Sequence, residues 1–152
     1  MIETTLQALG LTLPTPAAPA AHYVPFVIAN GLVFISGQLP MQNGALQFTG
    51  QVDANNIDMG KNAAQHCALN ILAQLKVACQ NDWDRVIACV RLGGFVNCAA
   101  GFGEQSQVIN GASELMTQVF GDKGRHARAA VGTCALPFNA MVEIDAIFNI
   151  LH

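Results

Sequence analysis

Two segments with a helical pattern of apolar residues, each set between strand-like segments, constrain the fold of this chain most. Within residues 57–80, apolar side chains recur every three or four positions, as on one face of an α-helix. A second helical pattern spans about 105–120, and Gly121 and Gly124 follow it, where glycine commonly ends a helix. A chain that alternates helices with strands in this way folds into stacked layers.

The strand-like runs complete this pattern. Residues 23–40 hold two such runs around Asn30-Gly31, a dipeptide that favours a two-residue β-hairpin turn. The other predicted strands are rich in apolar residues and lie near 46–48 and within 82–97, 127–134 and 141–150. The resulting order, β-β-(β)-α-β-α-β-β, predicts an α+β fold in which two helices cover one face of a mixed β-sheet.

The N-terminal segment differs from the rest of the chain. Residues 2–9 predict a short amphipathic helix, and the following Pro/Ala-rich stretch, LPTPAAPAAH at 13–22, cannot continue a helix because proline interrupts it. We interpret this stretch as an arm that tethers the helix. Residues 1–152 are then a single domain, with the N-terminal helix and the arm in 1–22.

Charged residues are scarce. They make up 11% of the 152 residues, against roughly 25% in an average soluble protein, and apolar residues make up 52%. This composition predicts buried subunit interfaces. A net charge of −3 favours neither nucleic acid nor an anionic membrane as a partner, and no apolar run reaches the ~20 residues of a membrane span.

The cysteines indicate the compartment. The chain has five, an odd number, and none is in a CxxC pair. This usage is typical of reduced thiols in the cytoplasm rather than of a disulfide framework or a zinc site.

Two charged residues stand inside apolar strands near the C-terminus. Arg128 is flanked by alanines, which leaves its guanidinium free to hold a carboxylate through two hydrogen bonds. Glu143 lies between Val142 and Ile144, and an acid buried in such a strand needs a partner or a function. A simple hairpin around Pro137-Phe138 would leave the two residues roughly 13 Å apart. A plain ion pair and a shared ligand site both stay open on this evidence.

These segments resemble the RidA family, also called the YjgF/YER057c/UK114 or endoribonuclease L-PSP family. Its C-terminal motif is a small residue and arginine, a Leu-Pro turn and a glutamate in the last strand, here Ala127-Arg128, Leu136-Pro137 and Glu143. The N-terminal half matches as well, where Tyr23-Val24 leads to Ile35-Ser36-Gly37-Gln38-Leu39-Pro40. The resemblance covers nearly the whole chain.

The resemblance implies a chorismate-mutase-like fold assembled as a homotrimer, with ligand clefts between the subunits. It implies that Arg128 holds the substrate carboxylate and that Tyr23 flanks the cleft. Glu143 would orient the water that hydrolyses an imine or enamine such as 2-aminoacrylate. No metal or cofactor is expected, because an imine carbon is already electrophilic and needs only a placed water and proton transfer.

The resemblance also assigns residues to the cleft walls. Ser36 and Gly37 would line the cleft, and Asn110 falls where the family has a cleft asparagine, although one extra residue separates it from Arg128. Ala130 occupies a position that is commonly cysteine in the family's deaminases. His126 stands where the family usually has proline or alanine.

Three functions are consistent with these residues. The first is a deaminase that hydrolyses small carboxylate-bearing imines or enamines to 2-keto acids and ammonia. The second is a non-catalytic trimer that binds small carboxylates or a partner protein through the same clefts, which Ala130 favours. The third, endoribonuclease activity, is disfavoured by a pI near 5.7 and by the lack of a basic or aromatic surface for RNA.

Overall fold

The computed structural model of the protein describes residues 1–18 and 22–152. Residues 19–21, which belong to the predicted Pro/Ala arm, lie outside the described residues. The helices and strands follow one another along the chain as α1 (Ile2–Ala8), β1 (Phe26–Ala29), β2 (Leu32–Gln38), β3 (Met41–Gln42), β4 (Ala45–Leu46), α2 (Ile57–Ala78), β5 (Val86–Asn97), α3 (Gln105–Phe120), β6 (Ala127–Thr133) and β7 (Val142–Ile150).

Five strands form one mixed sheet in the order β1-β2-β7-β5-β6. Strand β6 runs parallel to β5, and α3 makes the crossover between them, as a parallel connection requires. Strand β7 lies between β2 and β5 and is antiparallel to both. Helices α2 and α3 pack against each other and against the strands, so one face of the sheet is covered. The predicted α+β fold, with a mixed sheet and two helices on one face, is confirmed.

The hairpin considered for the last two strands is wrong. Strand β5 lies between β6 and β7, so Pro137–Asn139 does not close a tight turn between paired strands. The parallel β5–α3–β6 unit places β6 at the outer edge of the sheet. Every second residue of β7 is buried, which suits a strand at the centre of the sheet beneath the helices.

Local signals place most of the element ends. Asn30 and Gly31 both have positive φ, 51° and 75°, and they connect the paired strands β1 and β2 as the Asn-Gly dipeptide predicts. Helix α3 has the predicted bounds and ends at Gly121. Helix α2 ends two residues before the predicted limit because Gln80 and Asn81 adopt positive φ.

The N-terminal helix α1 forms as predicted and contacts α3. Its Ile2 and Leu6 are buried, and the carboxylate of Glu3 accepts a hydrogen bond from Trp83 Nε1 at 3.0 Å and pairs with Lys76 Nζ at 2.8 Å. These two partners lower the pKa of Glu3 to about 2. The small strand predicted near 46–48 is instead the β3–β4 hairpin, which ends at Leu46.

Candidate functional site

Glu143 lies on the sheet face opposite the helices. Its cross-strand partner is Phe95, which is exposed on that face, whereas the neighbouring Val142 and Ile144 are buried under the helices. Gly37 of β2 lies directly against the glutamate. A Cβ at position 37 would lie 3.0 Å from Glu143 Cδ, closer than side chains normally approach. Because glycine has no side chain, the space beside position 37 stays open for the Glu143 carboxylate.

Ser36 holds the segment that carries Tyr23 beside β2. The Ser36 hydroxyl donates to the Val24 carbonyl at 2.7 Å, and its backbone N–H donates to the Pro25 carbonyl at 2.9 Å. Tyr23 is 61% exposed and lines, with Gly37, a cleft of about 430 Å³. Because its hydroxyl is already engaged, Ser36 positions Tyr23 rather than presenting a free donor.

The sheet face opposite the helices, the open face, also carries Asp145, which follows Glu143 at the two-residue spacing of a strand. Arg91 Nη1 lies 3.4 Å from Asp145 Oδ1. Burial, and then the negative charge of Asp145, raise the pKa of Glu143 above its ordinary value. Burial raises the pKa of Asp145 as well, although Arg91 and the Gly93 backbone oppose that shift. A carboxylate with a raised pKa is a stronger base near neutral pH.

Arg128 lies on the other face of the sheet, beneath α3. Its cross-strand partner Leu92 is fully buried in the core. The guanidinium Nη1 donates to Ser113 Oγ at 3.1 Å, and Nη2 donates to the Ser106 carbonyl at 3.3 Å. Arg128 thus sits where the edge strand β6 meets the first two-thirds of α3.

Asn110 and Ala130 accompany Arg128. Ser106, Asn110 and Ser113 follow a four- and three-residue spacing, so Asn110 shares one face of α3 with the two residues that contact the arginine. Ala130 is two residues beyond Arg128 in β6 and points to the same face, where it packs against the core.

Within one chain the predicted site residues form two separate groups. The glutamate group contains Tyr23, Ser36, Gly37 and Glu143, and the arginine group contains Asn110, Arg128 and Ala130. Two strand spacings and three residues of strand rise put the Cα atoms of Arg128 and Glu143 roughly 14 Å apart, with side chains on opposite faces. A plain ion pair between the two residues is therefore wrong.

Sequence reasoning missed some polar residues beside each group. Asp145 was detectable, because alternation along β7 puts it on the same face as Glu143, but its partner Arg91 comes from β5 and has no local signal. Ser113 was likewise not singled out, and it contacts both Arg128 and His126. The crossover that brings α3 over β6 creates this contact.

Two general features of the described chain bear on the kind of site. Across residues 1–18 and 22–152, no three His, Cys, Asp or Glu side chains converge in a way that could hold a metal ion. Of the helices that the structure describes, none has both the length and the apolar character needed to cross a membrane.

The fold and these motifs define a class of protein. A sequence model of the family described as "YjgF/chorismate mutase-like, putative endoribonuclease" matches residues 3–150. The chain belongs to this family, which is the one that its two motifs resemble.

Individual proteins are similar to this chain along nearly its whole length. Protein TCP17 of Trypanosoma cruzi is 45% identical over 151 residues, which is 98% of this chain and 94% of that protein. The crystal structure of Atu1372 from Agrobacterium tumefaciens, a protein of unknown function, is 49% identical and superposes with a TM-score of 0.93 over 99% of this chain and 92% of that one. RidA from an Antarctic Psychrobacter species is 25% identical, with a TM-score of 0.60 over 91% of this chain and 96% of that one.

Proposed function

We propose that this protein is a deaminase that hydrolyses small carboxylate-bearing imines or enamines, of the 2-aminoacrylate type, to 2-keto acids and ammonia. The observation that carries the proposal is the presence in one chain of a carboxylate of raised pKa, Glu143, and of an arginine, Arg128, that has donors to spare. The reaction occurs in clefts between the subunits of a homotrimer.

Arg128 anchors the substrate. A guanidinium has five N–H donors, and two of them are used by Ser113 and Ser106. The remaining three, one each on Nε, Nη1 and Nη2, are available to a carboxylate. The substrate carboxylate therefore binds without displacing the contacts that hold the arginine on α3.

Glu143 activates the water. The enamine first tautomerises to the imine, whose carbon accepts a water oxygen as Glu143 takes the proton. The C=N electron pair moves to nitrogen, which takes that proton from Glu143 to give the carbinolamine. Glu143 then accepts the carbinolamine hydroxyl proton and passes it to the nitrogen as C=O forms, the C–N bond breaks and ammonia leaves. The raised pKa of Glu143 suits both transfers, because the group accepts a proton from water and returns it to the leaving nitrogen.

The separation of the two groups supports a site between subunits. One chain keeps Glu143 and Arg128 on opposite sheet faces, so a ligand that touches both must lie between two copies. The open face also exposes apolar side chains suited to burial against a neighbour. These are Val27, Phe34, Phe95 and Val131.

The test is ammonia release from freshly generated 2-aminoacrylate and related imines. We expect the pure protein to accelerate release over the uncatalysed hydrolysis, and to leave the rate unchanged for imines that lack a carboxylate. Ammonia release at the uncatalysed rate with every carboxylate-bearing imine would contradict the proposal.

A second candidate is ligand binding without turnover in the same clefts. Ala130 favours it, because this small side chain supplies no polar group beside Arg128. Binding of 2-oxobutanoate together with no ammonia release would identify this function. Endoribonuclease activity is a third and weaker candidate, and an RNA cleavage assay at two salt concentrations tests it directly.

A further inference from the structure

A continuous chain of hydrogen bonds ends on Arg128. Ser113 Oγ lies 3.1 Å from Arg128 Nη1 and 2.9 Å from Nε2 of His126. The other ring nitrogen of His126, Nδ1, lies 2.6 Å from the backbone carbonyl of Gly124. The series links the middle of α3, where Ser113 lies, to the segment that leads from α3 into β6, which carries Gly124, His126 and Arg128.

With His126 as the neutral imidazole, the two ends fix the direction of every hydrogen bond in this series. A backbone carbonyl can only accept, so His126 Nδ1 carries the proton that points to Gly124. In the neutral ring Nε2 then accepts, and the Ser113 hydroxyl donates to it. A guanidinium can only donate, so the Ser113 oxygen uses a lone pair for Arg128. Each donor has an acceptor, and each is used once.

Backbone packing holds Gly124, the residue at the end of this hydrogen-bond series that lies furthest from Arg128. Gly124 is buried, and a Cβ at this position would lie 3.0 Å from Thr117 Cα of α3. The Gly124 carbonyl is therefore fixed against the helix rather than on a free loop. His126 stands one residue before β6 and two residues before Arg128.

We infer that His126 and Ser113 are positioning residues that set the orientation of the Arg128 guanidinium for ligand binding. The inference rests on the proposed role of Arg128 as the carboxylate anchor. With Nη1 held by Ser113 and Nη2 by Ser106, the plane of the guanidinium is fixed, and its remaining N–H groups keep one direction. A fixed donor pair binds a planar carboxylate better than a mobile one, because less side-chain freedom is lost on binding.

A purely structural link between α3 and β6 is the competing explanation. It predicts that loss of Ser113 or His126 lowers stability and weakens every ligand alike. Positioning predicts instead a loss confined to ligands with a carboxylate, and only while Arg128 is present.

NMR of the ligand-free protein tests the geometry first. We expect His126 to be the Nδ1–H tautomer, and rotation about the Arg128 Nε–Cζ bond to be slow. Ser113→Ala and His126→Phe should accelerate that rotation, and Ser113→Thr, which restores a hydroxyl, should slow it again. Thr117→Ala is the matched control, because it removes a hydroxyl one turn further along α3, which donates to the Glu114 carbonyl. An Nε2–H tautomer in the wild type, or unchanged rotation in both variants, overturns the inference.

Calorimetry with 2-oxobutanoate and its neutral amide tests the consequence. Ser113→Ala should weaken binding of 2-oxobutanoate roughly two- to tenfold, the range of one hydrogen bond, and leave binding of the amide unchanged. In the Arg128→Ala background the same substitution should have no further effect. Equal weakening of both probes supports the structural link and overturns positioning. If the wild type fails to bind 2-oxobutanoate while the NMR results hold, the proposed function fails and the orientation of Arg128 by His126 and Ser113 stands.

Discussion

Arg128 and Glu143 are each unusual for the strand that carries them, and their surroundings differ. Arg128 is held by hydroxyl and carbonyl groups of α3 and has no carboxylate partner among the described side chains. Among the described side chains Glu143 forms no ion pair, and a second acid, Asp145, lies close to it. Each residue thus lacks the opposite charge that a substrate carboxylate, or a protonated imine nitrogen, would supply.

Substitution of Arg128 by lysine should weaken binding of 2-oxobutanoate about tenfold or more. Lysine keeps the charge but replaces a planar fork with a single ammonium, so one of two charge-assisted hydrogen bonds is lost, at roughly 1.5–3 kcal/mol. Arg128→Ala should weaken binding further. Calorimetry measures the affinities, and thermal melting checks that both variants fold. Equal affinity in the wild type and Arg128→Ala would exclude the anchor role.

Substitution of Glu143 by glutamine should abolish turnover, preserve binding of 2-oxobutanoate and raise stability at neutral pH. The folded pKa of Glu143 is raised above the ordinary value of 4.5, so its charged form is disfavoured by folding. That cost is present above the folded pKa and disappears as pH falls below 4.5. Melting curves should show the variant more stable than the wild type at pH 7 and equal to it near pH 4. A variant that is less stable at both pH values would contradict the burial of this charge.

Strand pairing, at the scale of elements, builds the glutamate group. The β2–β7 ladder changes register between Ile35 and Gln38, and Ser36 and Gly37 lie at this irregularity. The bulge brings Gly37 against Glu143 and leaves Ser36 free to bind the Tyr23 segment. A regular ladder would not place Gly37 against Glu143 and also leave Ser36 to bind the segment of Tyr23.

Alanine at position 37 should therefore impair activity while the fold is kept. The added Cβ would occupy the space of the Glu143 carboxylate and displace it, so we expect at least a tenfold loss in ammonia release, about 1.4 kcal/mol in the barrier. Gly103→Ala is the matched control, because a Cβ there meets nothing within 4 Å and the backbone φ is not positive. Equal activity of the two variants would show that the Gly37–Glu143 contact is not required.

The elements themselves were well predicted from the sequence. The bounds of α3 follow from its apolar spacing and from Gly121, and the β1–β2 hairpin follows from Asn30-Gly31. The end of α2 was predicted two residues too late, because Gln80, a good helix former, joins Asn81 in the left-handed φ of the turn that follows.

At the scale of the whole molecule, the two groups can meet only if one copy of the chain brings its open face to the β6 edge of another. Each copy offers one open face and one β6 edge, so contacts of this kind can close a ring, and in the proposed homotrimer three of them do so. The scarcity of charge and the exposed apolar side chains of the open face agree with this arrangement.

Mixed trimers should recover activity from two inactive variants. In co-expressed Glu143→Gln and Arg128→Ala chains, some clefts receive Glu143 from one chain and Arg128 from the other. Every trimer that contains both variants has one intact cleft of three, so the mixed protein should recover about a third of the wild-type activity. Ammonia release by the mixed, doubly tagged protein measures this recovery. Neither variant should recover when co-expressed with the double mutant, and a stable monomer in light scattering would exclude the shared cleft.

The sequence by itself determined the helices, most of the strands, the layer class and the identity of the two charged residues. These are encoded locally, in the periodicity of apolar positions and in the glycines and prolines that end each element. Tertiary structure decided the order of the strands and the face of the sheet on which each charged residue lies. The α3 crossover moves β6 to the edge and admits β7 to the centre, which sends Arg128 and Glu143 to opposite sides. Strand order depends on which buried surfaces fit together over the whole chain, and no window of neighbouring residues contains that information.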